Sequence, residues 1–279
     1  MKRIFLTLIT VIAIGSLFSC EPIEDRNSLP AMTLASSDLN FTAVATGNTI
    51  VLKNQTPNVI PYWSYTNAKG DEIGHSNLNE ISIPMPFAGT YNINFSAYTQ
   101  GGSVTATKTV SILQNDSNYF SAPEWSLLAN GVAGKTWVLD FTDPIGWAGL
   151  DYPGPTGDNW AWIPDYAGNS WVMENKNWGE MHFDLNGGYN TTVKQTALNT
   201  TDQTTKSGSF SFDIANHRLV FNGGAEMLFG GNYHPDVSNW VNVKVIELTA
   251  TSMRLAVIRD QDRGGQGVCL IVYHFKPKA

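Results

Sequence analysis

The stretch Gly89-Thr-Tyr-Asn-Ile-Asn-Phe-Ser-Ala-Tyr98 leaves this chain the fewest options. Tyr91, Ile93, Phe95 and Ala97 fall on one side of an extended backbone, and Asn92, Asn94, Ser96 and Tyr98 on the other. A helix would scatter the apolar set round its axis, whereas a strand with one wet face collects it. Gln100-Gly-Gly-Ser103 then supplies a hairpin turn, and residues 104–113 a return strand. Short runs of this kind, separated by Gly, Asn, Asp and Pro, recur along the sequence. Charged residues make up only 15% of the 279, while 25 are Gly and 11% are aromatic, a usage that favours strands and turns over helices. The expected class is all-β.

The N-terminus bears on compartment. Lys2 and Arg3 precede an apolar run over residues 4–18, which has the length of a signal-peptide core and is short for a membrane span. The run ends in Leu17-Phe18-Ser19-Cys20, which resembles the bacterial lipobox, in which the Cys is lipidated and becomes the mature N-terminus. Residues 1–19 are thus expected to be a lipoprotein signal peptide, with Cys20 the lipidation site and a lipid anchor in place of a span. Residues 20–32 then form a tether. Its Glu-Pro-Ile-Glu-Asp resembles the export signal of surface lipoproteins in Bacteroidetes, implying an outer-membrane location facing outside the cell. With Cys20 lipidated, Cys269 stands alone in an apolar run, so no internal disulfide and no Cys metal site is expected. The formal charge of −7 and the lack of a basic run argue against nucleic acid.

Two β-domains follow. Residues 33–114 carry strands at 49–53, 61–65, 81–84, 89–98 and 104–113. Tyr62-Trp63-Ser64-Tyr65, the Ala88-Gly89-Thr90-Tyr91 turn and the Gly102-Ser103 hairpin resemble the polycystic-kidney-disease (PKD) type of immunoglobulin-like β-sandwich. That family's Trp-Asp-Phe-Gly-Asp-Gly motif is reduced here to Trp63 and Gly70-Asp71. The resemblance implies a spacer, with Trp63 in its core. Residues 115–123 read as a linker and 124–129 as one helical turn. Within residues 124–279, strands are expected near 135–140, 180–185, 189–193, 207–213, 217–221, 241–248, 252–258 and 268–275, the last buried on both faces. Gly134-Lys-Thr-Trp-Val-Leu, Met181-His-Phe-Asp-Leu-Asn-Gly-Gly-Tyr and Gly208-Ser-Phe-Ser-Phe-Asp resemble the lipocalin-like antiparallel β-barrels and sandwiches of Bacteroidetes lipoproteins. By that comparison residues 143–179 are an insertion between the first two strands.

The insertion holds Trp147, Trp160, Trp162, Trp171 and Trp178, with Tyr152 and Tyr166, among turn-forming Gly, Pro, Asn and Asp. Rings held on loops either pack beneath the loop or offer flat apolar faces to a ligand such as a pyranose ring. Trp160 and Trp162, two apart, share a face if extended. Asp158 and Glu174, with Asp151, Asn159, Asp165 and Asn177, are placed either to orient sugar hydroxyls or to form turns. The carbohydrate-binding set expected is Trp147, Tyr152, Asp158, Trp160, Trp162, Tyr166, Trp171, Glu174 and Trp178, with no metal and no cofactor. The Asp260-Gln-Asp262-Arg-Gly-Gly turn lacks the later Glu of a calcium loop.

An enzyme is the alternative. Glu180, His182 and Asp184 project from one strand face, but carboxylates four residues apart on a strand lie roughly 13 Å apart, too far for a retaining glycosidase. Lipid anchor, acidic tag, immunoglobulin-like spacer and aromatic-rich terminal domain together resemble the surface glycan-binding proteins of Bacteroidetes polysaccharide-utilisation systems. That resemblance implies a non-catalytic binder of a polysaccharide with an outer-membrane glycan transporter as partner, and the density of rings suggests a β-glucan or similar plant or algal polymer. A structural or adhesin subunit is the third reading. Cys20→Ala is expected to abolish metabolic labelling of the protein by fatty acid and to move it from the membrane to the soluble fraction.

Overall fold

A computed structural model describes residues 34–261 and 263–279. The signal peptide, Cys20 and the acidic tether lie outside the described residues, as does Asp262. The N-terminal domain consists of β1 (Phe41–Thr46), β2 (Thr49–Asn54), β3 (Ile60–Thr66), β4 (Glu72–Ser76), β5 (Glu80–Pro84), β6 (Gly89–Thr99) and β7 (Gly102–Ile112). They form two antiparallel sheets, ordered β1-β2-β5 and β4-β3-β6-β7. The alternation of β6 decides which side is dry: Tyr91, Ile93, Phe95 and Ala97 are all buried. They meet Ile50 and Leu52 of β2, Ile83 of β5 and the fully buried Trp63 in one core.

The C-terminal domain is built from α1 (Pro123–Ala129), β8 (Lys135–Leu139), β9 (Ile145–Ala148), β10 (Ala161–Trp162), α2 (Tyr166–Asn169), β11 (Gly179–Asp184), β12 (Asn190–Thr196), β13 (Gln203–Asp213), β14 (Arg218–Asn222), β15 (Asn242–Leu248), β16 (Met253–Arg259) and β17 (Cys269–Pro277). Eight of the strands, β8 and β11 to β17, close into an antiparallel barrel through pairing of β17 with β8. Its interior takes Trp137, Met181, Phe183, Phe210, Leu219, Val243, Leu255 and Phe275. β17 is buried on both faces, as its unbroken apolar run predicts.

Segment 143–179 is less of an insertion than the sequence suggests, because β9 within it pairs with β17 in the barrel's own sheet. Leu139 pairs with Phe275, and the next pair along β17 is Ile145 with Tyr273. Residues 140–144 therefore bulge out opposite His274 alone, whose backbone closes the gap: its carbonyl accepts from Asp140 N (2.9 Å) and its N–H donates to the Pro144 carbonyl (3.1 Å). β8 and β9 are two halves of one long strand along β17. The β8 half pairs with β11 and closes the barrel, while the β9 half pairs with β10 and opens outward as a flange.

β11 and β17 are both antiparallel to β8 and so run the same way. At the end where they finish, β11–β12, β13–β14 and β15–β16 are joined by tight connections. Where they begin, the connections are the long ones: the flange, residues 223–241 and residues 260–268. The N-terminal domain docks at the tight end. Asn115 Nδ2 donates to the Leu185 carbonyl (2.9 Å), and Phe87 meets Phe120 and Tyr189 with ring centres 5.3 and 4.8 Å apart. Segment 115–123, read from sequence as a linker, is thus packed into the junction, Asp116 N bonding the Pro86 carbonyl (2.9 Å). Trp137 is fully buried and its Nε1 caps the Leu128 carbonyl of α1 (2.9 Å). Trp137→Ala is expected to cost about 3–5 kcal/mol of stability, read from urea unfolding.

Candidate functional site

At the long-loop end the flange turns one face inward. Register sets out the row: Val257 of β16 lies beside Ile271 of β17, Ile271 beside Trp147 of β9, and Trp147 beside Trp162 of β10. One step further along, Arg259 pairs with Cys269. Gly149 N bonds the Trp160 carbonyl (2.8 Å), which continues the flange past β10. Two residues apart on extended chain, Trp160 and Trp162 line the same hollow. Gly149 is required for this hairpin, since a Cβ there would sit 2.1 Å from the Asp158 carbonyl oxygen.

The result is an open cleft of about 350 Å³ lined by Trp147, Trp160, Trp162, Trp171, Tyr233, Arg259, Gln266 and Cys269. The rings are ordered. Trp147 stacks with Trp162 (centres 4.9 Å apart, 22° between planes) and lies nearly parallel to Trp171 (6.5 Å, 3°). Tyr233 meets Trp147 and Trp171 edge-on. Trp147 is buried, whereas Trp160, Trp162 and Trp171 are 47, 52 and 60% exposed. A buried ring thus supports exposed ones. Trp171 sits on the turn after α2, its Nε1 donating to the Gly168 carbonyl (3.2 Å), and Asp165 caps that turn by accepting from Gly168 N (2.8 Å). A second hollow shares Trp171, Tyr233 and Gln266 and reaches Asn232 and Asp236. A third continues from Asn232 to Glu174, Trp178 and Asn199. Together they make a track across the barrel end.

The structure divides the expected residues. Trp147, Trp160, Trp162 and Trp171 converge on the cleft. Trp178 does not present a face: it is 4% exposed, packs on Gly230, donates from Nε1 to the Glu174 carbonyl (2.9 Å) and lies under the Lys176 ammonium (4.2 Å). Tyr152 packs on Ala148, Ala256, Leu270 and Val272, the opposite face of the sheet. Tyr166 packs edge-on against Phe141. Asp158 is a turn former, its carboxylate accepting from Leu150 N (2.9 Å), while Asp151 accepts from Asp158 N (2.8 Å). Glu174 is exposed, pairs with Lys176 (3.4 Å) and lies in the third hollow, away from the stacked rings. Short acids among Gly and Pro went to turns because backbone N–H groups of neighbouring loop residues were the nearest unmet donors.

Tyr233, Arg259 and Gln266 were missed. One signal for Arg259 was in the sequence: Met253, Leu255 and Val257 alternate inward, and Arg259 is the next inward position. Tyr233 and Gln266 lie on loops with no pattern of their own.

Glu180, His182 and Asp184 do share a strand face, each occupied by neighbours. Glu180 pairs with Lys278, His182 Nδ1 meets Thr136 Oγ1 (2.9 Å), and Asp184 accepts from Asn190 Nδ2 (2.8 Å). A second polar set on the outer wall has the order acid, imidazole, hydroxyl: Asp143 Oδ1 lies on His274 Nδ1 (2.5 Å), and His274 Nε2 on Ser252 Oγ (3.0 Å). Its wiring does not activate a nucleophile. The Ser252 hydroxyl donates to Glu247, so its proton is not offered to the imidazole, and Arg254 holds the other Asp143 oxygen. The set braces the 140–144 bulge against β16.

No family model matches the chain, and comparison with curated proteins finds no relative.

His234, beside Tyr233, stacks on Phe229 and Trp240 (3.7 and 5.0 Å), and burial holds its pKa below the ordinary histidine value. The unfolded chain therefore binds a proton that the folded chain resists. The stability this contributes is fully present above about pH 6.5 and is lost as pH falls below it. The melting temperature is expected to drop between pH 7.5 and 5.5, and His234→Gln to flatten that part of the profile.

Proposed function

We propose that this protein is a non-catalytic carbohydrate-binding protein whose cleft at the distal end of the barrel holds part of a polysaccharide. The observation that carries the reading is the set of ordered rings: Trp162 and Trp171, each more than half exposed, lie near-parallel to the buried Trp147. Exposed indoles ordinarily turn inward, because each can bury on the order of 150–250 Å². Here they are kept outward by a hairpin, a cap and a supporting ring. A pyranose face laid on them removes apolar area from water at roughly 25 cal/mol per Å². The adjoining hollows, with Asn232 and Asn199, add amide groups that suit hydroxyls and lengthen the track toward what a polymer needs.

The layout supports the same reading. The cleft is at the barrel end away from the N-terminal domain, so a chain tethered at Cys20 would hold it outward. We read the N-terminal sandwich as a PKD-type spacer, since its sheets group as β1-β2-β5 and β4-β3-β6-β7 round a buried Trp63. The lipid anchor, the outer-membrane location and a glycan transporter as partner belong to this proposal, as does a β-glucan as one candidate ligand. The test is affinity electrophoresis against a polysaccharide panel. At least one polymer should retard the protein. Trp160→Ala/Trp162→Ala and Trp171→Ala should weaken binding tenfold or more, about 1.4 kcal/mol, with little change in melting temperature. No retardation on any polymer, or unchanged affinity in both variants, contradicts the reading.

A further inference from the structure

Among the described residues that line the ring-bearing cleft, Arg259 is the one charged side chain, and it is 4% exposed. Its hydrogen bonds go to neutral oxygens. Nε and Nη2 donate to the Gly267 carbonyl (3.1 and 2.8 Å), and Nη1 to Gln266 Oε1 (2.8 Å). The guanidinium carbon lies 5.7 Å from the Tyr233 ring centre, and Tyr233 OH also donates to Gln266 Oε1 (3.3 Å). Among the described residues Arg259 is in no ion pair. Two nearby acids among the described residues are otherwise engaged: Asp260 accepts from the Ser238 N–H (2.8 Å) and hydroxyl, and Asp236, in the adjoining hollow, faces Arg263 (3.9 Å). Arg254, on the opposite face of the same strand, shows the ordinary arrangement, a carboxylate 2.5 Å away.

A buried cation met, among the described residues, by neutral acceptors alone retains most of its desolvation cost, and an anion delivered to it recovers that cost as affinity. A guanidinium has five N–H donors in a planar fork, and three are used by the contacts above. The fork matches the paired oxygens of a carboxylate or a sulfate better than a single hydroxyl. Arg259 is on β16 and Trp147 on β9, two strand spacings apart across the sheet, roughly 10 Å. A saccharide stacked on the rings can thus present a charged substituent to Arg259.

We propose that the cleft selects a glycan bearing anionic substituents, a uronic acid carboxylate or a sulfate ester, with Arg259 as the anion-binding residue. The proposal rests on the carbohydrate-binding reading above. It runs against the chain's net charge of −7, but that field is screened beyond about 8 Å at physiological salt, and the contact itself is not.

The test uses the full chain and matched ligands. Oligogalacturonides are compared with the same oligosaccharides after reduction of their carboxyls, and a sulfated galactan with its desulfated form. The anionic member of at least one pair should bind tenfold or more tightly, with the gap narrowing in high salt, and the pair that responds identifies the anion. Arg259→Lys, which keeps the charge and loses the fork, should shrink the preference, and Arg259→Met should abolish it, so that the anionic and neutral members of a pair bind alike. Because Arg259 also holds Gln266 and Gly267 in place, the wild-type pairs decide the matter if a variant does not fold. Equal or weaker binding of both anionic members overturns the proposal and leaves the carbohydrate reading standing. Binding of no glycan, charged or neutral, overturns both.

Discussion

The hydrogen-bond ladder along β17 is the constraint on which the rest of this domain depends. β17 offers one edge to a single strand, and two strands share it. β8 takes the last residues and β9 the first, with five residues looped out against His274 alone. That division lets β8 close the barrel with β11 while β9 leaves it with β10. A barrel that closed uniformly would have no flange, and the tryptophans after β8 would have to pack elsewhere. The outer brace of Asp143, Arg254, His274 and Ser252 pins the bulge that makes the division possible. The polar group that most resembles a catalytic triad is therefore better understood as a joint.

Division of labour between the barrel's two ends follows from the same ladder. Strand direction puts the short connections and the docked N-terminal domain at one end. The long connections and the stacked rings lie at the other. Tyr273 fastens this second end from within: its hydroxyl donates to the Gly230 carbonyl (3.0 Å), and full burial pushes its pKa up, so it remains a neutral donor. It anchors the 223–241 loop that carries Tyr233 over the rings.

Much of the fold was legible because alternation is local. The β6 faces, the β6–β7 turn and the two-sided burial of β17 follow from neighbouring residues and hold in the structure. The barrel's closure did not follow, because pairing of β8 with β17 joins the two ends of the domain and no short pattern encodes it. The site was legible in part for the same reason. Trp160 and Trp162 share a face by spacing alone. Whether Trp171 or Trp178 would be the exposed ring depended on Gly230 packing under one and Gly168 anchoring the other, both tertiary facts. Arg259 was readable as an inward charge at a strand end, but only Tyr233 and Gln266, brought in from other loops, make it part of a cleft.

In the proposed function the exposed rings of Trp160, Trp162 and Trp171 form the ligand-contacting surface. Oxidation of tryptophans by N-bromosuccinimide, mapped by mass spectrometry with and without a saturating glycan that the protein retains, tests it most directly. The account predicts that these three are oxidised first in the free protein and are protected together by the glycan, while buried Trp63, Trp137 and Trp178 react slowly in both states. Unchanged oxidation of all three under saturating glycan, with binding shown independently, would contradict it.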